Sequence, residues 1–165
     1  MKKIMAADKA TVSVSASLLP DEIKTSMGGI TEYNINDFGD NNYWIYTLTL
    51  IGSSSEDLIK TGTTYLGQGV YEGAAATTQG TDDVLFLFVK HTGTTNGSTA
   101  TTANLHINLN GTPTGSAAGD IVVKPNECWF ARLGTDTKIE DINGDSSTSD
   151  VIQVSVFAIA DDGGV

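Results

Sequence analysis

Apolar and polar residues alternate along much of this chain at every second position, the spacing of a strand that buries one face. From Ala10 to Leu18, Val12, Val14, Ala16 and Leu18 share one side and Thr11, Ser13, Ser15 and Ser17 the other, and Pro20 ends the run. From Tyr43 to Ile51, Trp44, Tyr46, Leu48 and Leu50 alternate with Tyr43, Ile45, Thr47 and Thr49. Both faces carry bulk there, which predicts a strand inside its sheet. Val84 to Val89 is a continuous apolar run, too short for a typical helix and rich in Val and Phe. It is expected as a strand covered on both faces.

Further on, Leu105, Ile107 and Leu109 alternate with Asn104, His106, Asn108 and Asn110, and Asn110-Gly111 supplies a turn where positive φ is tolerated. Ile121–Val123 and Glu127–Leu133 flank a Pro125-Asn126 turn, and Val151–Ala160 gives a last, longest strand with Ile152, Val154, Val156 and Ala158 as its apolar stripe. Helical signals are confined to single turns, at Asp21–Lys24 after Pro20 and at Glu56–Lys60 after Ser53, Ser54 and Ser55. The tract of Thr, Gly, Asn, Ser and Ala between His91 and Thr102 has too little apolar area to pack and is expected as a mobile surface loop. Gly28-Gly29 reads as a turn.

Strands separated by turn-rich loops, with no helical windows between them, predict an all-β fold, an antiparallel β-sandwich or jelly roll. Residues 10–165 are expected to form one domain behind a flexible N-terminal arm of residues 1–9, with Gly163-Gly164-Val165 as a contact tail.

Charge narrows the partners. Twenty Asp and Glu against nine Lys and Arg give a net charge of -11, and Arg132 is the only arginine. A nucleic-acid surface needs clustered cations to displace counterions, so nucleic acid is not an expected partner. A basic patch on another protein suits this acidity better. No apolar run approaches the roughly 18 residues that cross a bilayer, so no membrane association is expected. After Lys2 and Lys3, only Ile4 to Ala7 precede Asp8, which falls short of a signal peptide and implies synthesis in a cytoplasm without export.

Candidate chemistry is sparse. Cys128 is the single cysteine, so no intrachain disulfide or thiolate cage forms, and its place between Glu127 and Trp129 predicts a small buried hydrophobe. His91, at the mouth of the polar loop, and His106, on the polar face of its strand, read as surface histidines outside any catalytic motif. Gly67 and Gly69 lack the remaining parts of a phosphate loop. Asp141-Ile142-Asn143-Gly144-Asp145-Ser146-Ser147 spaces oxygen ligands as calcium would use them, but Ser146 and Ile152 stand where an EF-hand needs Gly and Glu, and a solvated Asn-Gly turn is the expectation. Asp161 and Asp162, adjacent on a strand, point to opposite faces and read as a polar strand end. Trp44, Tyr43 and Tyr46 offer a sugar-stacking surface, although aromatic strands usually serve a core. No catalytic, cofactor-binding or metal-ligating residue is therefore assigned, and no cofactor is expected.

The segment Ile121-Val-Val-Lys-Pro-Asn-Glu-Cys-Trp-Phe-Ala-Arg-Leu133, followed by Thr137-Lys-Ile-Glu-Asp-Ile142 and Val154-Ser-Val-Phe-Ala-Ile159, resembles small structural proteins of tailed bacteriophages, particularly marine and cyanobacterial ones. The resemblance implies a non-enzymatic virion protein of the capsid decoration, or cement, type. Its expected partner is a major capsid protein, bound on the outer face of the shell, and its expected state is a homotrimer. No functional residue carries over. The alternative is a carbohydrate-binding adhesin or tail-fibre domain using Trp44 or Tyr65 with loop carboxylates. A glycosidase using a pair of aspartates is a third and weaker reading.

Overall fold

The computed structural model describes residues 8–18, 25–35, 42–59, 67–70, 82–111, 121–134 and 136–161. The strands are β1 (Asp8–Leu18), β2 (Thr25–Ile35), β3 (Asn42–Ile51), β4 (Glu56–Asp57), β5 (Gly67–Val70) and β6 (Asp83–His91). They continue as β7 (Leu105–Asn108), β8 (Ile121–Val123), β9 (Cys128–Arg132), β10 (Asn143–Ser146) and β11 (Ile152–Asp161), with a single 3-10 turn at Ile139–Asp141. No α-helix occurs among the described residues. The fold is an all-β sandwich, as the alternation predicts.

Two antiparallel sheets make the sandwich, ordered β5-β3-β11-β6-β9 and β4-β10-β7-β8. Their facing sides share one core, with Ile45 and Ile51 of β3, Val84, Leu87 and Val89 of β6, and Val154, Val156 and Ala158 of β11 meeting Leu105 and Ile107 of β7 and Val123 of β8. Leu58, Ile59, Ala103, Ile139 and Ile142 close its ends. Burying each large aliphatic side chain contributes about 1.5–3 kcal/mol, so this layer dominates the stability.

The antiparallel hairpin β1-β2 packs on the outer face of the five-stranded sheet. There Tyr33 and Val12 meet Phe86, Ile159 and Phe157 in a second apolar cluster. β6 is therefore covered on both sides, as its continuous apolar run requires. It changes face cleanly because Phe86 pairs with Ile159 and Val84 with Ala160, which leaves Leu85 as the extra residue of a bulge. β3 lies between β5 and β11 and turns Ile45, Thr47, Thr49 and Ile51 to the core.

Several expectations are corrected. Gly28-Gly29 is no turn but mid-strand in β2, paired with Ser15 and Val14. Asp8 and Lys9 belong to β1 rather than to an arm, while residues 1–7 and 163–165 lie outside the described residues. Glu56 starts no helical turn; it pairs with Gly144 in β4, and its Oε1 accepts the Gly52 N–H at 3.0 Å. Asp21–Lys24 lies outside the described residues. The His91–Thr102 tract is a folded loop. Thr95 N–H donates to the Thr99 carbonyl at 2.8 Å and Thr101 N–H to the Gly93 carbonyl, while Gln153 N–H of β11 donates to the Thr94 carbonyl at 2.8 Å. Asn96 Oδ1 accepts the backbone N–H groups of Ser98 and Thr99. Backbone pairing here replaces the apolar area that the composition lacks.

Candidate functional site

His91 ends β6 with its ring turned inward, fully buried, under the loop that follows it. Its Nδ1 accepts the Gly93 N–H at 3.0 Å, and its Nε2 lies 2.9 Å from the Ala103 carbonyl. One nitrogen must accept and the other donate, which fixes the neutral tautomer protonated at Nε2. Burial lowers its pKa below the ordinary 6.5, against the opposing effect of the Ala103 bond. The expected surface histidine is thus a buried staple between β6 and the loop.

His106 is also buried, contrary to its reading as a surface residue. Its neighbours Leu105 and Ile107 point to the core, so its ring lies on the opposite face of the four-stranded sheet, where it stands across from Asp145 of β10 and Val122 of β8. Its Nδ1 has no hydrogen-bond partner. Asn143, directly across from Asn108, is buried on the same face and donates from Nδ2 to the Glu140 carbonyl at 2.9 Å.

This arrangement corrects the reading of Asp141–Ser147 as a solvated turn. Asn143–Ser146 is a strand held between β4 and β7, and Asp141 Oδ2 caps the 3-10 turn by accepting the Lys138 N–H at 3.1 Å. Gly144 is needed because a Cβ there would lie 2.8 Å from Leu58 and 3.1 Å from Leu105, both fully buried. Among the described residues no group of three or more His, Cys, Asp or Glu side chains is placed to hold a metal ion.

Cys128, expected inside, is exposed with a free thiol. On β9 it shares a face with Phe130 and Arg132, while Trp129 packs toward the core, so the alternation of the strand turns Cys128 outward. Tyr46 is exposed, and Ser155 Oγ donates to its hydroxyl at 3.4 Å. The Trp44 and Tyr43 side chains, Tyr65 and Asp162 lie outside what is described, and Asp161 ends β11 opposite Asn42 and Asp83. Gly67 and Gly69 are strand residues of β5, paired with Leu48 and Tyr46.

Where β1-β2 rests on the five-stranded sheet it leaves a pocket of about 220 Å³ lined by Val12, Gly29, Thr31, Tyr33, Phe86, Phe130, Ala131 and Arg132. Tyr33 and Phe86 stack obliquely within it, with ring centroids 6.1 Å apart and planes inclined at 49°. No signal in the sequence marks this site, because it exists only once two distant strand pairs are stacked.

Among the described residues no helix is long and apolar enough to cross a membrane. Comparison with protein-family models, with curated proteins and with solved structures finds no match.

Proposed function

We propose that the protein is a non-enzymatic structural component of a tailed-phage particle, a capsid decoration protein that attaches to the outer face of the major capsid protein. The observation that carries this reading is the side of the sandwich formed by β8 and β9. Among the described residues each is the terminal strand of its sheet, with no strand paired on its outer edge, and the Lys124–Glu127 turn joins them. Exposed strand edges are templates for pairing with another chain, and soluble proteins usually blunt them. Here Val122, 51% exposed, stands on the outer face of the four-stranded sheet and Phe130, 40% exposed, on the outer face of the five-stranded sheet, so an exposed apolar side chain flanks these edges on each side. Such a surface suits adhesion. The resemblance of this same segment, Ile121–Leu133, to phage structural proteins supports the capsid as its target, and the acidity of the chain suits a basic shell surface. On this reading the protein is a homotrimer closed by cyclic symmetry.

Purified protein mixed with undecorated capsids is expected to bind saturably, and a Val122→Lys, Phe130→Lys double variant to lose most of that binding. Absence of saturable binding across several salt concentrations rejects the capsid assignment. Light scattering that returns the mass of a single 17.3 kDa chain at all working concentrations rejects the trimer.

A further inference from the structure

The pocket between the hairpin and the five-stranded sheet has two features that adhesion does not use. Tyr33 is 7% exposed, its hydroxyl is buried without a hydrogen-bond partner, and it lines the cavity. A buried donor left unmatched is rare in a folded protein and points to a missing acceptor. Arg132 is the second feature. It stands across β6–β9 from Phe86, close enough for its charge to act on the Tyr33 phenol, and among the described residues no carboxylate pairs with it. The chain carries -11 overall, yet among the described residues the only charged group lining this cavity is its sole arginine. The remaining walls are apolar or small, with Phe86 and Phe130 on the sheet side and Val12 on the hairpin. Space remains at Gly29, where an added Cβ would meet nothing within 4 Å.

We propose that this pocket binds a small carboxylic acid with an aromatic or branched aliphatic body, its carboxylate held by Arg132 and the Tyr33 hydroxyl and its body lying against Phe86, Phe130 and Val12. A planar guanidinium matches a carboxylate in a two-point bond, and the phenol adds a third donor. The volume, roughly seven times a water molecule's share of the liquid, limits the ligand to about one ring with a short chain. Phe130 is shared with the proposed attachment surface, whereas Arg132, Tyr33 and Gly29 are not part of it, and recognition is measured on the isolated protein.

The test is a titration of isotope-labelled protein with 3-phenylpropionate and, separately, with its neutral amide, followed by backbone amide shifts. The acid is expected to shift Gly29, Thr31, Tyr33, Ala131 and Arg132 saturably, and the amide to bind at least about tenfold more weakly. Arg132→Gln and Tyr33→Phe each weaken the acid by about tenfold and leave the amide unchanged. Gly29→Leu, whose side chain has room to enter the pocket, abolishes both while the rest of the spectrum stays native. Equal binding of acid and amide, an Arg132→Gln variant with unaltered affinity, or saturable shifts centred elsewhere overturns the proposal. So does the absence of saturable shifts.

Discussion

The Gly93 N–H bond to His91 Nδ1 makes the folded state intolerant of a proton at that nitrogen, because a protonated Nδ1 would face a second donor. The folded pKa is lowered by burial, while the unfolded chain titrates near 6.5. Between those two values the unfolded state binds a proton that the folded state refuses. The stability from the neutral ring is therefore complete above pH 6.5 and declines as pH falls toward the folded pKa, by up to about 1.4 kcal/mol per pH unit inside the window. Urea unfolding of wild type and His91→Gln at several pH values between 7.5 and 5 is expected to show the two stabilities converging on acidification. Parallel curves would mean that the ring is not held neutral. Thr47 makes the opposite case on the core face of β3. Its hydroxyl is buried and unpartnered between two sheets, where the transfer cost of a hydroxyl is not recovered. Thr47→Val keeps the shape and the β-branched strand preference, and is expected to stabilise the protein by about 1 kcal/mol in denaturant titrations. A loss of stability would show that Thr47 Oγ1 finds a partner.

At the level of elements, the turn between β8 and β9 shows how local chemistry sets tertiary fit. Pro125 and Asn126 sit at its two central positions, Asn126 has φ of 69°, and Glu127 N–H donates to the Lys124 carbonyl at 3.0 Å, which is the pattern of a type II turn. Asn126 then donates its own N–H to the His91 carbonyl and lays its side chain against Gly93, whose φ is +81°. Gly93→Ala meets both the left-handed backbone and the Asn126 amide, so a destabilisation of about 1–3 kcal/mol is expected. A thermal melt unchanged from wild type would contradict that packing. The Pro125-Asn126 turn and strands β3, β6, β7 and β11 are legible in the sequence because proline, positive-φ residues and alternating aliphatics act locally. β2 and β10 are not. Gly28-Gly29 and Asn143-Gly144 are turn dipeptides by composition, and they become strand only because β1 claims the first pair and β4 and β7 enclose the second. His91 is misread because a polar side chain next to a polar loop looks solvent-facing until the loop folds back over it, and His106 because the polar face of its strand is itself buried.

For the whole molecule, the proposed attachment turns on which end strands of the sandwich lack a neighbour among the described residues. Across the sandwich, β4 and β5 end their sheets, and β4 is only two residues long. The β8–β9 side carries the exposed Val122, Phe130 and Cys128, the side chains that burial by a partner would cover on the proposed reading. The thiol doubles as a reporter of that burial. A maleimide reagent is expected to label Cys128 readily in the isolated protein under native conditions, and Cys128→Ser to abolish the labelling. On capsid-bound protein the rate is expected to fall at least about tenfold, because a paired edge excludes the reagent along with water. Unchanged labelling on the capsid would place the attachment surface elsewhere, with β8 and β9 remaining open to solvent.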